Sequence, residues 1–277
     1  MIFQPKVTLI TMYFQSINGK EICQISLNDR GLAYGDGIFT TAKVVNGKVE
    51  LLSQHINRLI NGCERLNILN VDFNALKTEL INLTKKYDLA VLKVIVTAGE
   101  GGRGYSRPSK NQPNIIIKIS EFPVKYNQWQ SQGITVAKAN IGLGINPLLA
   151  GLKHLNRLEQ VLIKAELDKT TFDDLLVFDI DDHAVETSCA NVFWFKDNEL
   201  FTPKLTRCGV AGILRDQILQ KHSKTNIVQA KHTELQNIQA MFITNSIMGI
   251  VPVSSYCLTP LNVMQVHQFK HQLANIA

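Results

Sequence analysis

Apolar side chains recur at three- and four-residue intervals in two segments of the first third of the chain. The first segment, 54–68, contains Ile56, Leu59, Ile60, Cys63 and Leu66. This spacing predicts an amphipathic helix with one buried stripe, and Ser53 is placed to cap its start. In the second segment, Asp72 is placed to cap a helix whose inner side chains include Leu76 and Leu80.

Runs of apolar and β-branched residues, bounded by turn residues, predict the strands. Asn18-Gly19 and Asn46-Gly47 each lie between two such runs, and Asn-Gly is the strongest short-range signal for a β-hairpin. Further strands are predicted at 91–98, 114–120, 134–139, 173–187, 191–203 and 240–253.

Two helices are predicted in the second half of the chain. One follows Lys153, and its inner side is predicted to consist of Leu158, Val161, Leu162, Ala165 and Leu167. The other is entered through the glycines of "GVAGILR", residues 209–215.

This order of elements predicts the α/β (α+β) class, with mixed sheets in two domains. A chain of 277 residues is long for one compact domain and sufficient for two. Residues 121–133 carry no clear period and are interpreted as a linker. We therefore predict an N-terminal α/β domain at 1–120 and a C-terminal domain at 134–277.

Composition and charge favour a soluble cytoplasmic protein. Apolar residues make up 45% and charged residues 19%, and the net charge of +6 is scattered along the chain, which gives little support to a nucleic-acid surface. No apolar run reaches the roughly 18 residues of a membrane span, and the start of the chain does not resemble a signal peptide. The five cysteines are odd in number and widely spaced, as in free thiols of a reducing cytosol.

Several well-known sites are excluded by their motifs. The chain has no GxxxxGK[ST] phosphate loop, no HExxH zinc helix and no GxSxG elbow. The glycines of "GEGGRG", residues 99–104, open no convincing helix and so do not indicate a dinucleotide site. Five aspartates lie between 173 and 182, but they flank the apolar "LLVF". This pattern indicates a buried strand with solvated turns at its ends, and we predict no metal site there.

Four features of the sequence each have an ordinary structural explanation, but together they are compatible with a single kind of active site. Lys153 follows a tight apolar loop, and Glu186 lies among small and apolar residues, where a carboxylate needs a cationic partner. The backbone N–H groups of Ile213 and Leu214 begin a helix and are suited to phosphate. Arg58 lies on the polar side of its helix, where most arginines are solvated, but an arginine turned inward binds phosphate.

An amine, a carboxylate, a helix N-terminus and an arginine are together what pyridoxal 5′-phosphate (PLP) requires. Its aldehyde forms a Schiff base with a lysine. Its pyridine nitrogen needs an acidic partner if the ring is to act as an electron sink. Its phosphate needs backbone donors and a cation.

Four quoted segments occur together in family order. They are "LNDRGLAYGDGIFTT", "GLKHLNRLEQ", "ETSCANVFWF" and "GVAGILRD". In these segments the chain resembles the fold-type IV PLP enzymes, and in "GLKHLNRLEQVLIKAEL" it resembles the aminodeoxychorismate lyases among them. The resemblance implies a small N-terminal α/β domain, a larger barrel-like C-terminal domain, a cofactor site between the two and a homodimer.

The resemblance also implies the roles of individual residues. Lys153 is the Schiff-base lysine and general acid/base, and Glu186 is the partner of the pyridine nitrogen. Asn191 lies in the strand behind the ring. The phosphate ligands are Arg58, the backbone of Ile213 and Leu214, and Ser246.

The implied reaction converts 4-amino-4-deoxychorismate to 4-aminobenzoate and pyruvate. Thr40 is placed to assist proton transfer, and Arg103, Tyr105 and Arg107 are candidates for binding the two substrate carboxylates, unless their loop is simply a solvated crossover.

A branched-chain or D-amino-acid aminotransferase on the same fold is the alternative function. Such enzymes tend to carry a tyrosine shortly after the lysine, where this chain has "HLNRL". Asn156 and Arg157 are therefore candidates for distinguishing a lyase from a transaminase. An alternative of another class is a basic binding protein without the cofactor.

Overall fold

The computed structural model describes residues 11–109 and 111–273. The first ten residues, on which the absence of a signal peptide was predicted, lie outside this range. The described chain divides into two compact units. The N-terminal unit contains residues 11–123 and Lys153–Asn156, and the C-terminal unit contains Val124–Leu152 and residues 157–273.

The N-terminal unit is built on a five-stranded antiparallel sheet in the order β1-β5-β4-β2-β3. Its strands are β1 (Met12–Ile17), β2 (Gly37–Val45), β3 (Lys48–Val49), β4 (Leu89–Thr97) and β5 (Asn114–Ser120). Its helices are α1 (Arg30–Tyr34), α2 (Leu52–Arg65) and α3 (Phe73–Thr84). The predicted stripe of α2 is confirmed, because Ile56, Leu59 and Cys63 are buried in the core beneath the sheet.

The two Asn-Gly turns have different outcomes. Asn46 and Gly47 both have positive φ, at 50° and 74°, and join β2 to β3 in the predicted hairpin. Asn18 and Gly19 form the same kind of turn, but the chain beyond it pairs only at Lys20, and β1 pairs with β5 instead.

The predicted helix caps differ in the same way. Asp72 accepts hydrogen bonds from the N–H groups of Asn74 and Ala75 and caps α3, as predicted. The predicted cap at Ser53 is wrong, because α2 begins earlier, after Leu51 in the left-handed conformation. Ser53 therefore lies inside the first turn of α2.

The C-terminal unit is built on a nine-stranded mixed sheet in the order β11-β10-β9-β12-β13-β6-β7-β8, with β14 paired to β13. Its strands are β6 (Ile134–Lys138), β7 (Asp174–Phe178), β8 (Ala184–Thr187), β9 (Asn191–Lys196), β10 (Glu199–Pro203), β11 (Asn226–Val228), β12 (Ala240–Asn245), β13 (Gly249–Tyr256) and β14 (Thr259–Pro260). Its helices are α4 (Lys125–Gln132), α5 (Leu158–Leu167), α6 (Ile213–Lys221) and α7 (Val263–Gln272), with a 3-10 turn at His232–Leu235.

The predicted α/β class with two sheet-containing parts is confirmed. The boundary between Pro123 and Val124 falls within the segment interpreted as a linker, and most of that segment is helix α4. Every residue of α4 is at least partly exposed. The sequence therefore shows no stripe of buried apolar residues from which this helix could have been predicted. In the described residues, no helix has the length and apolar character needed to cross a membrane.

The predicted inner side of α5 is largely wrong. Leu167 is buried as predicted, together with Ile163, but Leu158, Val161 and Leu162 are 71%, 60% and 50% exposed. Ala165 is exposed too. The helix carries two apolar stripes, and the one with the more regular spacing faces outward.

Candidate active site

Lys153 is held by backbone pairing within the N-terminal unit. The Phe39 N–H donates to the Lys153 carbonyl at 2.9 Å, and the Leu155 N–H donates to the Gly37 carbonyl at 3.0 Å. Residues 153–155 thus form a short antiparallel bridge beside the start of β2. The Lys153 amine lies 4.7 Å from the centre of the Phe39 ring. The predicted Schiff-base lysine therefore has a fixed backbone and a defined aromatic neighbour.

Glycines in "YGDG" make this pairing sterically feasible. A side chain at Gly37 would place its Cβ 2.4 Å from the Val96 carbonyl oxygen and 2.8 Å from Leu155. Gly35 has a φ of 64°, and a Cβ there would lie 2.4 Å from the Asn156 amide oxygen. The Asn156 amide in turn donates to the Gly35 carbonyl at 3.1 Å. The glycine motif and the segment after Lys153 therefore pack as one structure.

Thr40 lies on the wrong face of β2 for its predicted role. Its hydroxyl is 2.6 Å from Nδ1 of His55 on α2, and both side chains are 2% exposed. Successive side chains of a strand point to opposite faces, and the Lys153 amine lies with Phe39. The predicted part of Thr40 in proton transfer is therefore not retained.

Two residues that the sequence interpretation missed share the face of Phe39. Thr41 follows two positions after Phe39 and pairs directly with Lys93 on β4. The Lys93 amine lies 4.8 Å from the centre of the same Phe39 ring. Burial lowers the pKa of Lys93, and the charge of Lys118 lowers it further. Side chains alternate between the two faces of β2 and β4, so the sequence could have placed Phe39, Thr41 and Lys93 on one face. It could not show that Lys153 lies on that face, because this depends on the pairing of residues 153–155 with β2.

Arg58 lies on α2, three residues and about one helical turn after His55. The pKa of His55 is lowered to about 3, mainly by burial, next by the charge of Arg58 and then by the charge of Lys153. Arg58 and Lys153 are therefore both within electrostatic range of His55, a residue that the sequence interpretation did not single out.

Glu186 and Asn191 in the C-terminal unit bind the same residue of the loop that enters α6. A carboxylate oxygen of the buried Glu186 accepts from the Val210 N–H at 2.9 Å. The buried amide of Asn191 donates to the Val210 carbonyl at 2.8 Å. Gly151 also bridges Val210, which connects this loop to the segment just before Lys153.

Helix α6 begins at Ile213, as required if the backbone N–H groups of Ile213 and Leu214 are to bind phosphate. Gly212 is its N-cap and, in the described residues, has no side-chain cap bond, so the N–H groups of Ile213 and Leu214 open the helix. A Cβ at Gly212 would lie 1.9 Å from the Asn191 amide oxygen. Ser246 is partly buried in the turn after β12. The structure thus brings the predicted C-terminal residues into one unit.

Arg157 was predicted as a candidate for distinguishing a lyase from a transaminase, but its interactions with Glu186 and Glu159 were not predicted. Its guanidinium donates to the Leu152 carbonyl at 2.8 Å. Burial lowers the pKa of Arg157, while the charges of Glu186 and Glu159 raise it.

The loop after β4 uses Arg107 as an anchor. Its guanidinium donates to the Asp36 carboxylate at 2.5 and 3.0 Å and to the carbonyls of Leu66 and Asn67 at 2.7 and 2.6 Å. These bonds direct the guanidinium to Asp36 and to the backbone of residues 66 and 67, so we propose that Arg107 holds the loop rather than binding a substrate carboxylate directly. Arg103 and Tyr105 are exposed and keep their candidate roles.

Arg30, which the sequence interpretation did not single out, shapes the same loop. It is 3% exposed and donates to the carbonyls of Gly104, Tyr105 and Ser106 and to Asp36. Its polar neighbours in "LNDRG" gave no sign of burial.

We predict that Asp36→Asn destabilises the N-terminal unit. Burial raises the pKa of Asp36, but hydrogen bonds and charges from Arg107 and Arg30 outweigh it and leave the pKa below its usual value. Because the folded pKa is lowered, this stabilisation is present above the unfolded pKa of about 3.9 and is lost as the pH falls through the folded value. We expect the free energy of unfolding to fall by about 1–3 kcal/mol at pH 7.

Denaturant unfolding at pH 7 and at pH 3 measures this effect. The difference from wild type is expected to shrink at the lower pH. Asp88→Asn, at an exposed aspartate of the same unit, is the control. Equal stability of the two variants at pH 7 would show that the Asp36 ion pairs are unimportant.

The chain has extensive similarity to known proteins. Residues 37–256 match the family model described as Amino-transferase class IV. An aminodeoxychorismate lyase from Vibrio harveyi is 36% identical over 242 residues, which are 86% of this chain and 89% of the relative. A D-alanine aminotransferase from Bacillus licheniformis is 28% identical over 243 residues, which are 84% and 83% of the two chains.

A solved structure extends this similarity to the fold. The crystal structure of 4-amino-4-deoxychorismate lyase from Pseudomonas aeruginosa matches with a TM-score of 0.89 and 36% identity, covering 95% of this chain and 98% of the other. The predicted fold-type IV fold is confirmed, with two sheets of which one is a half-barrel. The chain therefore belongs to the class IV aminotransferase family, whose members use pyridoxal 5′-phosphate.

Proposed function

We propose that this enzyme is a PLP-dependent lyase that converts 4-amino-4-deoxychorismate to 4-aminobenzoate and pyruvate. The observation that carries the proposal is the 36% identity, over most of the chain, to two proteins named as lyases of this substrate. The D-alanine aminotransferase is less similar, at 28%. The segment after Lys153 supports the same choice, since it lacks the tyrosine expected of an aminotransferase.

The residues present suit the proposed cofactor. Lys153 would hold PLP by its aldehyde, and Glu186 would stabilise a protonated pyridine nitrogen. Phosphate suits the opening N–H groups of α6, whose N-cap Gly212 leaves no room for a side chain beside Asn191. Arg58 and Ser246 would complete the phosphate ligands. We propose that these residues of the two units serve the same PLP.

The proposed chemistry depends on proton transfers by Lys153. When bound, PLP supplies a ring that accepts electrons from the carbon bearing the substrate amine. The Lys153 amine removes the proton from C4 of the substrate as general base. It then gives a proton to the enolpyruvyl group as the carbon–oxygen bond breaks. The ring becomes aromatic, and the released enol becomes pyruvate, so the reaction needs no amino acceptor.

Substrate recognition is proposed for the face of β2 that carries Phe39. Lys93 is a partly buried cation beside the ring that the Lys153 amine also contacts. Lys93 and the exposed Arg103 would bind the two substrate carboxylates, and Tyr105 would lie alongside. Thr41, on the same face, takes the place of Thr40 as the hydroxyl nearest to the chemistry. Arg107 would act indirectly by holding the loop.

Product analysis tests the function directly. Purified enzyme is supplied with aminodeoxychorismate and PLP but no α-keto acid, and 4-aminobenzoate and pyruvate are measured. We expect equal amounts of both products. Turnover that appears only after an α-keto acid is added would identify an aminotransferase instead. A protein that binds no PLP would contradict both functions.

We further propose that the enzyme is a homodimer. The exposed stripe of α5, formed by Leu158, Val161 and Leu162, supports this assembly, because a second copy would remove it from water. Sedimentation equilibrium is expected to give twice the chain mass of 31.0 kDa. Val161→Glu should favour the monomer, whereas Met264→Glu, at an exposed residue of α7, should not. A monomeric wild type would refute the assembly.

We also propose a cytoplasmic location. All five cysteines lie in the described residues and are free thiols, as expected in a reducing compartment. Fractionation of the source cells checks this location, and recovery of the protein outside the cytoplasm would contradict it.

A further inference from the structure

Two buried polar side chains of the N-terminal unit join α2 to β2. Thr40 Oγ1 lies 2.6 Å from His55 Nδ1, and each residue is 2% exposed. A hydrogen bond at this depth is stronger than one in water. The pair therefore couples the position of the helix to that of the strand.

The surroundings of His55 do not favour a purely stabilising role. Burial and the charges of Arg58 and Lys153 lower the pKa of His55 to about 3, so the ring is neutral at physiological pH. Its second nitrogen, Nε2, is buried and has no hydrogen-bond partner among the described residues. A buried polar atom without a partner is destabilising, so stability alone does not account for a histidine here.

Thr40 and His55 lie on the two elements that hold the candidate cofactor ligands Lys153 and Arg58. Arg58 follows His55 by about one turn of α2. Lys153 is hydrogen-bonded through its backbone to Phe39, the residue before Thr40. The Thr40–His55 bond thus connects the helix that carries Arg58 to the strand against which Lys153 is paired.

We propose that Thr40 and His55 are positioning residues that fix the separation of Arg58 and Lys153. This inference rests on the proposed function, because it assigns Arg58 to the phosphate of PLP and Lys153 to its aldehyde. The aldehyde and the phosphate are carried on neighbouring carbons of one ring, the phosphate through a short CH2–O link, so their protein ligands must lie within a limited distance of each other. A neutral histidine provides the link without adding a third positive charge beside Arg58 and Lys153.

A double-mutant cycle tests the pair in the holoenzyme. Thr40→Val, His55→Phe and the combined variant are compared for the Kd of PLP and for kcat. We expect each single variant to raise the Kd and lower kcat by about tenfold, since small displacements of reacting groups are costly. The combined variant is expected to be no worse than His55→Phe, because both changes remove one bond. His55→Asn, which keeps a polar atom near Nδ1, should restore most of both constants.

Thr84→Val is the matched control for loss of a buried threonine hydroxyl. Thr84 is fully buried and donates to the carbonyls of Leu80 and Gly47. Its substitution should lower stability and leave both PLP constants unchanged. The inference is overturned if Thr40→Val behaves like Thr84→Val, or if the two single effects multiply in the combined variant. If His55→Phe does not fold, the comparison of Thr40→Val with Thr84→Val decides. A wild type without PLP binding would instead contradict the proposed function.

Discussion

Lys153→Ala is expected to lower kcat/KM for 4-aminobenzoate formation by at least about 10³-fold. The change removes the proposed covalent attachment of the cofactor and the proposed general acid/base together, and general acid/base catalysis alone contributes roughly 10²–10⁴-fold. The backbone pairing of Lys153 with Phe39 does not involve the side chain, so the variant should fold normally. The visible absorbance of lysine-bound PLP should disappear with the activity.

Borohydride reduction and peptide mapping provide an independent measurement. In wild type the pyridoxyl group is expected on the peptide that contains Lys153. Lys169→Ala, at an exposed lysine just beyond α5, should retain both the label and the activity. A label on another lysine, or a Lys153→Ala variant with wild-type turnover, would show that the assignment is wrong.

Glu186→Gln is expected to lower kcat by roughly 10²–10³-fold while PLP remains bound. Glutamine keeps the shape of the side chain but removes its charge, and losing one partner of the proposed buried charge pair costs enough free energy for an effect of this size. The glutamine oxygen can still accept from the Val210 N–H, so the loop before α6 should keep its place. The change therefore tests only the negative charge of Glu186, which we propose stabilises the protonated pyridine nitrogen.

Steady-state kinetics and PLP titration measure this effect. Glu199→Gln makes the same substitution at an exposed residue of β10 and should leave kcat unchanged. If Glu186→Gln loses PLP without losing turnover per bound cofactor, Glu186 has a structural role only. If it keeps full activity, the ring nitrogen has another partner.

Local interactions made much of the fold predictable. The Asn46-Gly47 turn, the Asp72 cap and the buried stripe of α2 each depend on residues a few positions apart, so the sequence displays the cause directly. Lys153 and Glu186 were predicted as candidates for a related reason, since each is a charge in an apolar context. Their assigned roles remain predictions.

Longer-range pairing decided what the sequence did not reveal. Thr40 and Thr41 are adjacent, and only the bridge of residues 153–155 to β2 determines which of them shares a face with Lys153. Arg107 was assigned to the substrate because the substrate carboxylates need cations. Its ion pair with Asp36 was not predicted, since the two residues lie far apart in sequence. In α5, both sides are apolar, so periodicity alone did not identify the buried side.

Residues 153–156 also constrain the order of assembly during synthesis. Residues up to Pro123 leave the ribosome first, but the bridge segment 153–155 that pairs with the start of β2 follows only after Val124–Leu152, which belong to the other unit. A nascent N-terminal unit therefore exposes the unpaired edge of Gly37–Phe39 until the lysine segment emerges. Because that edge is closed by the segment carrying Lys153, the Lys153 amine reaches its place in the same step that completes the N-terminal unit.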